Sequence, residues 1–154
     1  MLTAIANNQN EYANERFALL LRRNKLKVTQ PRLRVLQIIS EKETAISQPE
    51  LEKLLGETVD RVTLYRVLAT FDEKGILHKI FDLHGTATYA LCSTDCDEHH
   101  HQDEHVHFIC EKCNSIYCLE DFKMPKITLP DGYRLHSVGV NAVGLCAQCG
   151  NRNR

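Results

Sequence analysis

Residues 60–91, DRVTLYRVLATFDEKGILHKIFDLHGTATYAL, carry the pattern that decides the fold of the first half of the chain. Asp60 has the short polar side chain of a helix N-cap, and Gly75 is placed to end the helix that it starts. Residues 76–82 and 86–91 flank a short glycine-containing turn, so they predict a β-hairpin. Helices followed by such a hairpin are typical of a winged helix.

The helix predicted after Asp60 has an apolar and a polar face. Its apolar residues recur at helical spacing and predict the buried face: Leu64, Val67, Leu68 and Phe71. Thr63, Tyr65 and Arg66 then point largely away from the core. Two short helices in a row, the second with exposed Thr, Tyr and Arg, predict a helix-turn-helix whose second helix enters the DNA major groove.

Three more helices are predicted upstream. The first spans 11–23, and the second opens at Pro31, a favoured first-turn residue. Ser47 can cap the third, with Glu50 three residues on as in a capping box, and Gly56 ends it. Their apolar positions predict the buried faces: Phe17, Leu20, Leu21, Leu33, Leu36, Ile39, Leu51, Leu54 and Leu55.

A run of basic side chains accompanies the predicted helix-turn-helix. Seven Lys or Arg residues and no acidic residue lie between Arg16 and Arg34, which would bring positive charge to a phosphate backbone. Taken singly, a basic run is more often solvated surface, and a helical tyrosine is more often half-buried packing. The combination predicts binding to double-stranded DNA through seven residues: Lys27, Thr29, Arg32, Arg61, Thr63, Tyr65 and Arg66.

Histidine and cysteine are confined to the second part of the chain. The first 77 residues contain neither, and all seven cysteines lie in the last 63 residues. Charge divides as well: residues 1–84 hold 13 basic against 11 acidic side chains, and residues 85–154 hold 6 against 9. We therefore expect an α+β protein with a winged-helix DNA-binding domain over 1–91 and a small α/β metal-binding domain over 92–154.

The overall composition is that of an ordinary globular protein. The chain has 154 residues, of which 43% are hydrophobic and 25% charged. No segment approaches the roughly 20 apolar residues of a membrane span. The first residues lack the basic and then apolar pattern of a secretory signal, so we expect a cytoplasmic protein without a membrane partner.

Two Cys-x2-Cys pairs, Cys110-Glu-Lys-Cys113 and Cys146-Ala-Gln-Cys149, predict a metal site. Four thiolates complete a zinc tetrahedron and leave no open position, so this zinc would be structural. Disulfides are disfavoured in the expected compartment. A redox-active Cys-x2-Cys pair would not need a second such pair. Because the gap between the pairs exceeds the roughly 15–20 residues of a zinc ribbon, the ion should tie together a larger unit. Its predicted strands are 106–109, 116–119 and 137–143.

A histidine-rich stretch precedes the first cysteine pair. His105 and His107 are two residues apart, like same-side neighbours on a strand, so they can converge on one ion. Imidazole and thiolate together suit zinc. Linear spacing cannot choose the other ligands, and a solvated loop with weak metal affinity explains the stretch equally well.

The order of these motifs resembles the ferric uptake regulator family of metal-dependent bacterial repressors. The resemblance runs from about Leu26 to Cys149 and rests on four segments: LKVTQPR at 26–32, VTLYRV at 62–67, FDEKGI at 71–76 and HVHFICEKC at 105–113. It implies a homodimer joined through the second domain, which binds a palindromic operator when a sensing metal is bound.

Within that family the resemblance favours the zinc uptake regulators. Their sensing ligands fall here on four positions, which it implies as a regulatory zinc site: His78, Cys92, His105 and His107. Iron-sensing members typically use a glutamate and a histidine where this chain has Ala90 and Ala45, and alanine cannot bind metal. The implied function is a zinc-responsive repressor of metal uptake genes.

Several positions depart from the family pattern. The segment His99–His101 has no obvious counterpart. Pro125 and Pro130 interrupt the helix expected between the two cysteine pairs. Cys96 and Cys118 are spare thiols that could replace a metal ligand.

Other functions stay open at this point. An iron, manganese or peroxide sensor of the same family would favour harder donors than cysteine. A zinc deaminase needs His-x-Glu followed by Pro-Cys-x2-Cys, which the sequence lacks. Phosphate-binding glycine loops and nucleophile elbows are also missing from the sequence, so enzyme activity is not expected. A purely structural zinc-ribbon adaptor would bind protein instead of DNA.

Overall fold

The computed structural model describes residues 2–91, 106–119, 122, 126–135 and 138–151. Within these ranges helices and strands combine into the expected α+β fold, a helical half closed by a β-hairpin and then a second sheet. Among the helices described, none is long and apolar enough to cross a lipid bilayer.

The elements of the fold follow one another in a simple order. The helical half and the hairpin comprise α1 Leu2–Arg23, α2 Gln30–Ser40, β1 Ile46–Ser47, α3 Gln48–Leu55, a 3-10 turn Gly56–Thr58, α4 Arg61–Glu73, β2 Leu77–Phe81 and β3 Ala87–Leu91. The second part comprises β4 Val106–Cys110, β5 Ile116–Leu119, β6 Val140–Gly144 and α5 Ala147–Asn151.

The ends of α3 and α4 are formed by the residues that the sequence predicts. The hydroxyl of Ser47 accepts a hydrogen bond from the backbone N–H of Glu50 at 3.4 Å. The carboxylate of Asp60 accepts one from the backbone N–H of Thr63 at 2.9 Å. Gly56 follows α3 with φ +56°, a left-handed conformation that costs glycine little. The first helix differs from prediction: α1 begins at Leu2, well before residue 11. Residues 7–11, NNQNE, are all polar and interrupt the apolar stripe that would have revealed the earlier start.

The helical core forms where one face each of α1, α2, α3 and α4 meets the hairpin. Leu64 and Phe71, predicted on the buried face of α4, are completely buried. The prediction for Leu54 was wrong, because its side chain is 46% exposed. In the short helix α3 the inward positions are Leu51 and Leu55, and at 3.6 residues per turn Leu54 lies about 80° from their mean direction.

The predicted hairpin is confirmed as β2 and β3, which form the wing. With β1 they make an antiparallel sheet in the order β1-β3-β2. Along β2, Lys79 and Phe81 are exposed while His78 and Ile80 are buried. Because side chains alternate along a strand, His78 and Ile80 share one face of the wing.

The second sheet has β4 in the middle, between β5 and β6. β5 is antiparallel to β4, whereas β6 is parallel to it. β6 begins at Val140, later than the predicted start, and residues 126–135 contain neither helix nor strand. Parallel neighbours cannot be joined by a short turn, which explains why the two cysteine pairs lie far apart in the sequence.

A small contact joins the wing to the second sheet. Ile80 and Ala90 of the wing pack in one buried cluster with Ile109 and Ile116. The backbone N–H of Ala45, just before β1, donates to the carbonyl of Ile116 at 2.9 Å. These contacts bring the buried face of β2 against β4 and β5.

Candidate metal centres and DNA-binding surface

The two predicted cysteine pairs converge into one cluster. Four sulfur atoms lie within 4.8 Å of one another: those of Cys110, Cys113, Cys146 and Cys149. The Sγ atoms of Cys113 and Cys146 are 3.8 Å apart. This distance matches the edge of a tetrahedron with Zn–S bonds of about 2.3 Å. The cluster therefore fits an ion held by four thiolates.

Backbone hydrogen bonds shape the turn that carries the first pair. The N–H of Cys110 donates to the carbonyl of Ser115 at 2.9 Å, and the N–H of Asn114 donates to the carbonyl of Cys110 at 2.8 Å. Asn114 has φ +57°, a conformation that asparagine adopts more readily than most residues. The turn therefore brings Cys113 back toward Cys110.

The electrostatic environment differs among the four sulfur atoms. The backbone N–H groups of Cys146 and Cys113 point at the Cys110 sulfur, the former at 3.4 Å, and lower the pKa of that thiol to about 6. Burial raises the pKa of Cys149 to about 12. The backbone N–H groups thus favour the thiolate form of Cys110, whereas burial disfavours that of Cys149, which a bound metal ion would stabilise.

A second cluster lies between the wing and the second sheet. One nitrogen each from His78 and His107 and the sulfur of Cys118 lie within 4.8 Å of one another. The Nε2 atom of His78 is 3.2 Å from the Sγ atom of Cys118. The two imidazole rings are 5.2 Å apart between centroids and tilted by 42°. Two imidazoles and a thiol in this arrangement offer the donor types of a zinc site.

Burial separates this second cluster from ordinary surface histidines. The side chains of His78 and His107 are only 3% and 6% exposed, and Cys118 is half-buried. They come from β2, β4 and β5, so the cluster joins the wing to the second sheet.

The structure describes part of the predicted regulatory site. It brings together His78 and His107, two of the four ligands that the family resemblance implies. The remaining ligands and the neighbouring candidates lie outside the described residues: Cys92, Cys96, His99–His101 and His105.

Sequence reasoning did not assign Cys118 to this cluster, although a signal for it exists. The tight turn between Cys110 and Ser115 fixes the pairing of β4 with β5. In such an antiparallel pair, the numbers of two residues that lie opposite each other always have the same sum. Ile109 pairs with Ile116, and counting outward places His107 opposite Cys118. Pairing register, unlike ligand spacing, requires both strands and their turn to be predicted together.

Five of the seven predicted DNA-contact residues are exposed. Tyr65 is 63% exposed on α4, where Arg61 and Arg66 are exposed as well. Lys27 and Thr29 are exposed in the connection between α1 and α2. The exposed side of α4 and the connection between α1 and α2 are therefore both accessible to a large polyanion.

Two other predicted contact residues also make internal hydrogen bonds. The guanidinium of Arg32 donates to the carbonyl of Lys27 at 2.7 Å, and the hydroxyl of Thr63 donates to the carboxylate of Asp60. Hydrogen bonds from Thr63 hold the pKa of Asp60 below its usual value of 3.8, because they stabilise the charged form. Arg32 and Thr63 thus also shape the starts of α2 and α4.

A helix-turn-helix, a wing and two clusters of metal-ligating side chains together define the class of metal-binding winged-helix proteins. Comparison with known proteins identifies the family. A model described as the ferric uptake regulator family matches residues 23–143. Ferric uptake regulation proteins of Neisseria meningitidis and Escherichia coli K12 are each 31% identical over 135 and 136 residues, covering 80% and 83% of this chain and 86% of each relative. The chain belongs to the ferric uptake regulator family, whose members are metal-responsive transcription regulators and not enzymes.

Solved structures of regulators share the fold. A zinc uptake regulator complexed with zinc and DNA has a TM-score of 0.68 and 25% identity, with 94% of this chain and 97% of that chain covered. The Vibrio cholerae ferric uptake regulator has a TM-score of 0.58 and 23% identity, with 84% and 98% covered. These matches confirm the predicted architecture, a winged helix-turn-helix followed by a smaller α/β unit.

Proposed function

We propose that the chain is a zinc-responsive repressor that binds palindromic DNA operators as a homodimer and controls metal uptake genes. The observation that carries this proposal is the buried cluster of His78, His107 and Cys118 between the wing and the second sheet. The zinc- and DNA-bound zinc uptake regulator, which is similar along nearly its whole length, supports the same function.

The regulatory site is proposed at His78 and His107, with Cys92 and His105 contributed from the stretch between β3 and β4. Neutral imidazole and thiolate suit zinc, whereas manganese and iron(II) favour sites with more oxygen donors. When bound, zinc would supply a crosslink among these side chains. Ala45 and Ala90, at positions where iron-sensing members typically carry ligands, offer no donor.

His78 is placed to couple that site to α4. It is the second residue of β2, and only a short turn containing Gly75 separates β2 from α4. Phe71 of α4 and Leu77 of β2 are completely buried in the same core, so the two elements should move together. Closing the site around His78 would fix the direction of α4 relative to the second sheet. In a dimer, it would select the form whose two recognition helices match half-sites about 34–36 Å apart.

We also propose roles for the two parts of the chain. Residues 1–91 would form the DNA-binding domain and residues 92–154 the metal-binding dimerisation domain. The four-cysteine cluster would hold a structural zinc, since its sulfur separations fit a closed tetrahedron.

Contacts to DNA are proposed in two groups. Basic and polar side chains would bind phosphates and fix position, while Tyr65 and Arg66 would contact base edges. Their exposure on α4 supports this division. The proposed contact residues are Lys27, Thr29, Arg32, Arg61, Thr63, Tyr65 and Arg66.

The experiment uses the full chain and a duplex selected from random DNA by the zinc-loaded protein. Binding to that duplex is measured while a chelator sets graded free zinc. We expect loss of exchangeable zinc to weaken binding at least about tenfold, which corresponds to about 1.4 kcal/mol of coupling. Unchanged binding after all exchangeable metal is removed would contradict the proposal.

The rival functions are outcomes of the same measurement. Several relatives are named as ferric uptake regulation proteins, so Fe²⁺ and Mn²⁺ are added to the stripped protein in parallel with Zn²⁺. Recovery of binding with either of these ions, and not with zinc, would show an iron or manganese sensor instead. Failure to select any duplex while the four-cysteine zinc is retained would favour a structural adaptor.

A further inference from the structure

We infer that Cys118 is a ligand of the regulatory metal ion and a determinant of its preference for zinc over harder ions. The inference rests on the proposed metal-sensing function. Because tetrahedral zinc takes four ligands, Cys118 would replace one of the two proposed ligands that lie outside the described residues, Cys92 or His105. It follows from strand register, distance, burial and donor chemistry.

Strand register places Cys118 beside His107. The two residues are directly opposite each other in the antiparallel pair of β4 and β5. Side chains so placed have Cβ atoms about 4.5–5.5 Å apart. The next pair on the same face, Ile109 and Ile116, is buried against the wing. A slip of one residue would expose this pair, so the core holds Cys118 in its position.

The wing supplies the third donor at a suitable distance. The Nε2 atom of His78 is 3.2 Å from the Sγ atom of Cys118. Ligands on a zinc tetrahedron with a Zn–N bond of about 2.0 Å and a Zn–S bond of about 2.3 Å lie about 3.5 Å apart. A shift of a few tenths of an ångström would therefore bring both atoms to ligand positions.

Charge and donor type give Cys118 a role that the histidines cannot fill. Two neutral imidazoles carry no charge, so the thiolate of Cys118 would supply negative charge to a divalent ion in a buried site. No carboxylate joins His78, His107 and Cys118 in the part of the chain that the structure describes. Sulfur in place of oxygen favours zinc and disfavours manganese and iron(II).

A hydrogen bond between His78 and Cys118 without any metal role is the competing explanation. The variant Cys118→Ser distinguishes a metal ligand from a hydrogen-bond partner, because a hydroxyl keeps the hydrogen bond but is a poor metal ligand. Cys96→Ser is the matched control, since it removes another thiol from the same half of the chain. Retention of the four-cysteine zinc and an unchanged unfolding midpoint show that each variant is folded.

The first readout is spectroscopic. The full chain keeps zinc in the four-cysteine cluster and receives Co²⁺ in the exchangeable site. Zinc–thiolate absorption lies in the far ultraviolet, apart from that of cobalt. Sulfur-to-cobalt charge-transfer absorption then reports thiolate ligands in that site alone. We expect the band to persist in Cys92→Ser and to disappear when Cys118→Ser is added. Loss of the band in Cys92→Ser alone, with cobalt still bound, would overturn the assignment. Loss of the band in Cys96→Ser, together with its retention in Cys118→Ser, would overturn it as well.

The second readout is metal preference. Cys118→Ser should weaken zinc binding at the exchangeable site at least about tenfold, and Cys118→Glu should lower the ratio of zinc to manganese affinity by a similar factor. Ratios equal to that of the unaltered chain in both variants would contradict the specificity role.

These outcomes separate the ligand assignment from the proposed function. If DNA binding by the unaltered chain is independent of zinc, the proposed function fails, yet the cobalt spectrum still shows whether Cys118 is a ligand. If DNA binding depends on zinc, but Cys118→Ser keeps its zinc affinity and the variant lacking both Cys92 and Cys118 keeps the cobalt band, only the assignment of Cys118 fails.

Discussion

Tyr65 and Arg66 are adjacent side chains on the exposed side of α4. The buried side of the same helix is occupied by Leu64 and Phe71. The packing of α4 therefore leaves its polar side chains free to meet a partner, and arginine makes bidentate hydrogen bonds to guanine more often than to other bases.

Replacing Arg66 with alanine should weaken specific DNA binding by about 1–3 kcal/mol, or roughly tenfold to more than a hundredfold, if its guanidinium contacts a base. Fluorescence anisotropy with the selected duplex measures the change. Arg134→Ala is the control, since it removes the same charge from an exposed site in the second half of the chain. Equal losses for the two variants would indicate a general charge effect and contradict base contact by Arg66.

Single residues were predictable where their role depends on near neighbours. Ser47 and Asp60 were predicted as helix caps because a cap needs only a backbone N–H three residues on. Cys118 was predicted only as a spare thiol, since its place opposite His107 depends on two strands and their turn. Cys92 and His105 stay predictions.

At the scale of elements, α4 and the wing could be predicted from the sequence because local residues mark where each of them starts and ends. Asp60 caps α4, and Gly75 ends it with φ +67°. The hairpin turn then separates β2 from β3. The position of β6 was less predictable, because a parallel strand is fixed by contacts with β4 and not by any local turn.

The cap of α4 should make its stability depend on acid. Hydrogen bonds from Thr63 lower the pKa of Asp60 below 3.8 in the folded chain. A lowered folded pKa means that the stabilisation is fully present above 3.8 and is lost as the pH falls through the folded value. Asp60→Asn keeps an oxygen acceptor but cannot ionise, so we expect its urea midpoint to approach that of the unaltered chain as the pH falls below 3.8.

Asp60→Ala, which removes the acceptor, is the companion variant. It should be less stable than Asp60→Asn at every pH, because alanine cannot cap a helix. A difference between the unaltered chain and Asp60→Asn that does not vary with pH would show that the carboxylate charge adds nothing to the cap.

At the scale of the whole molecule, the sequence predicted two chemically different halves but not how they meet. The meeting point depends on residues that are distant in sequence, such as Ala45 and Ile116, which share a backbone hydrogen bond. Nothing in the local pattern of either residue predicts the other. The order of the parts, by contrast, was confirmed by the matches to family members.

Two metal populations of different strength are expected in the purified chain. Four sulfur atoms within 4.8 Å, including the fully buried Cys110, should hold zinc tenaciously. The cluster that includes His78 should exchange its ion more readily, because its donors come from two different sheets, the wing and the second sheet. Metal content at graded chelator strength should fall in two steps, and a single step would contradict the distinction between structural and regulatory sites.

The parallel pairing of β4 with β6 has a consequence for the chain between them. A metal held by Cys113 and Cys146 closes a loop of 32 residues, and closing a loop removes conformational freedom from the unfolded chain. The entropy of closure grows slowly with length, by only about 0.6 kcal/mol for each doubling. This connecting segment can therefore gain or lose residues during evolution at little thermodynamic cost, while the four-cysteine site that closes the loop stays the same.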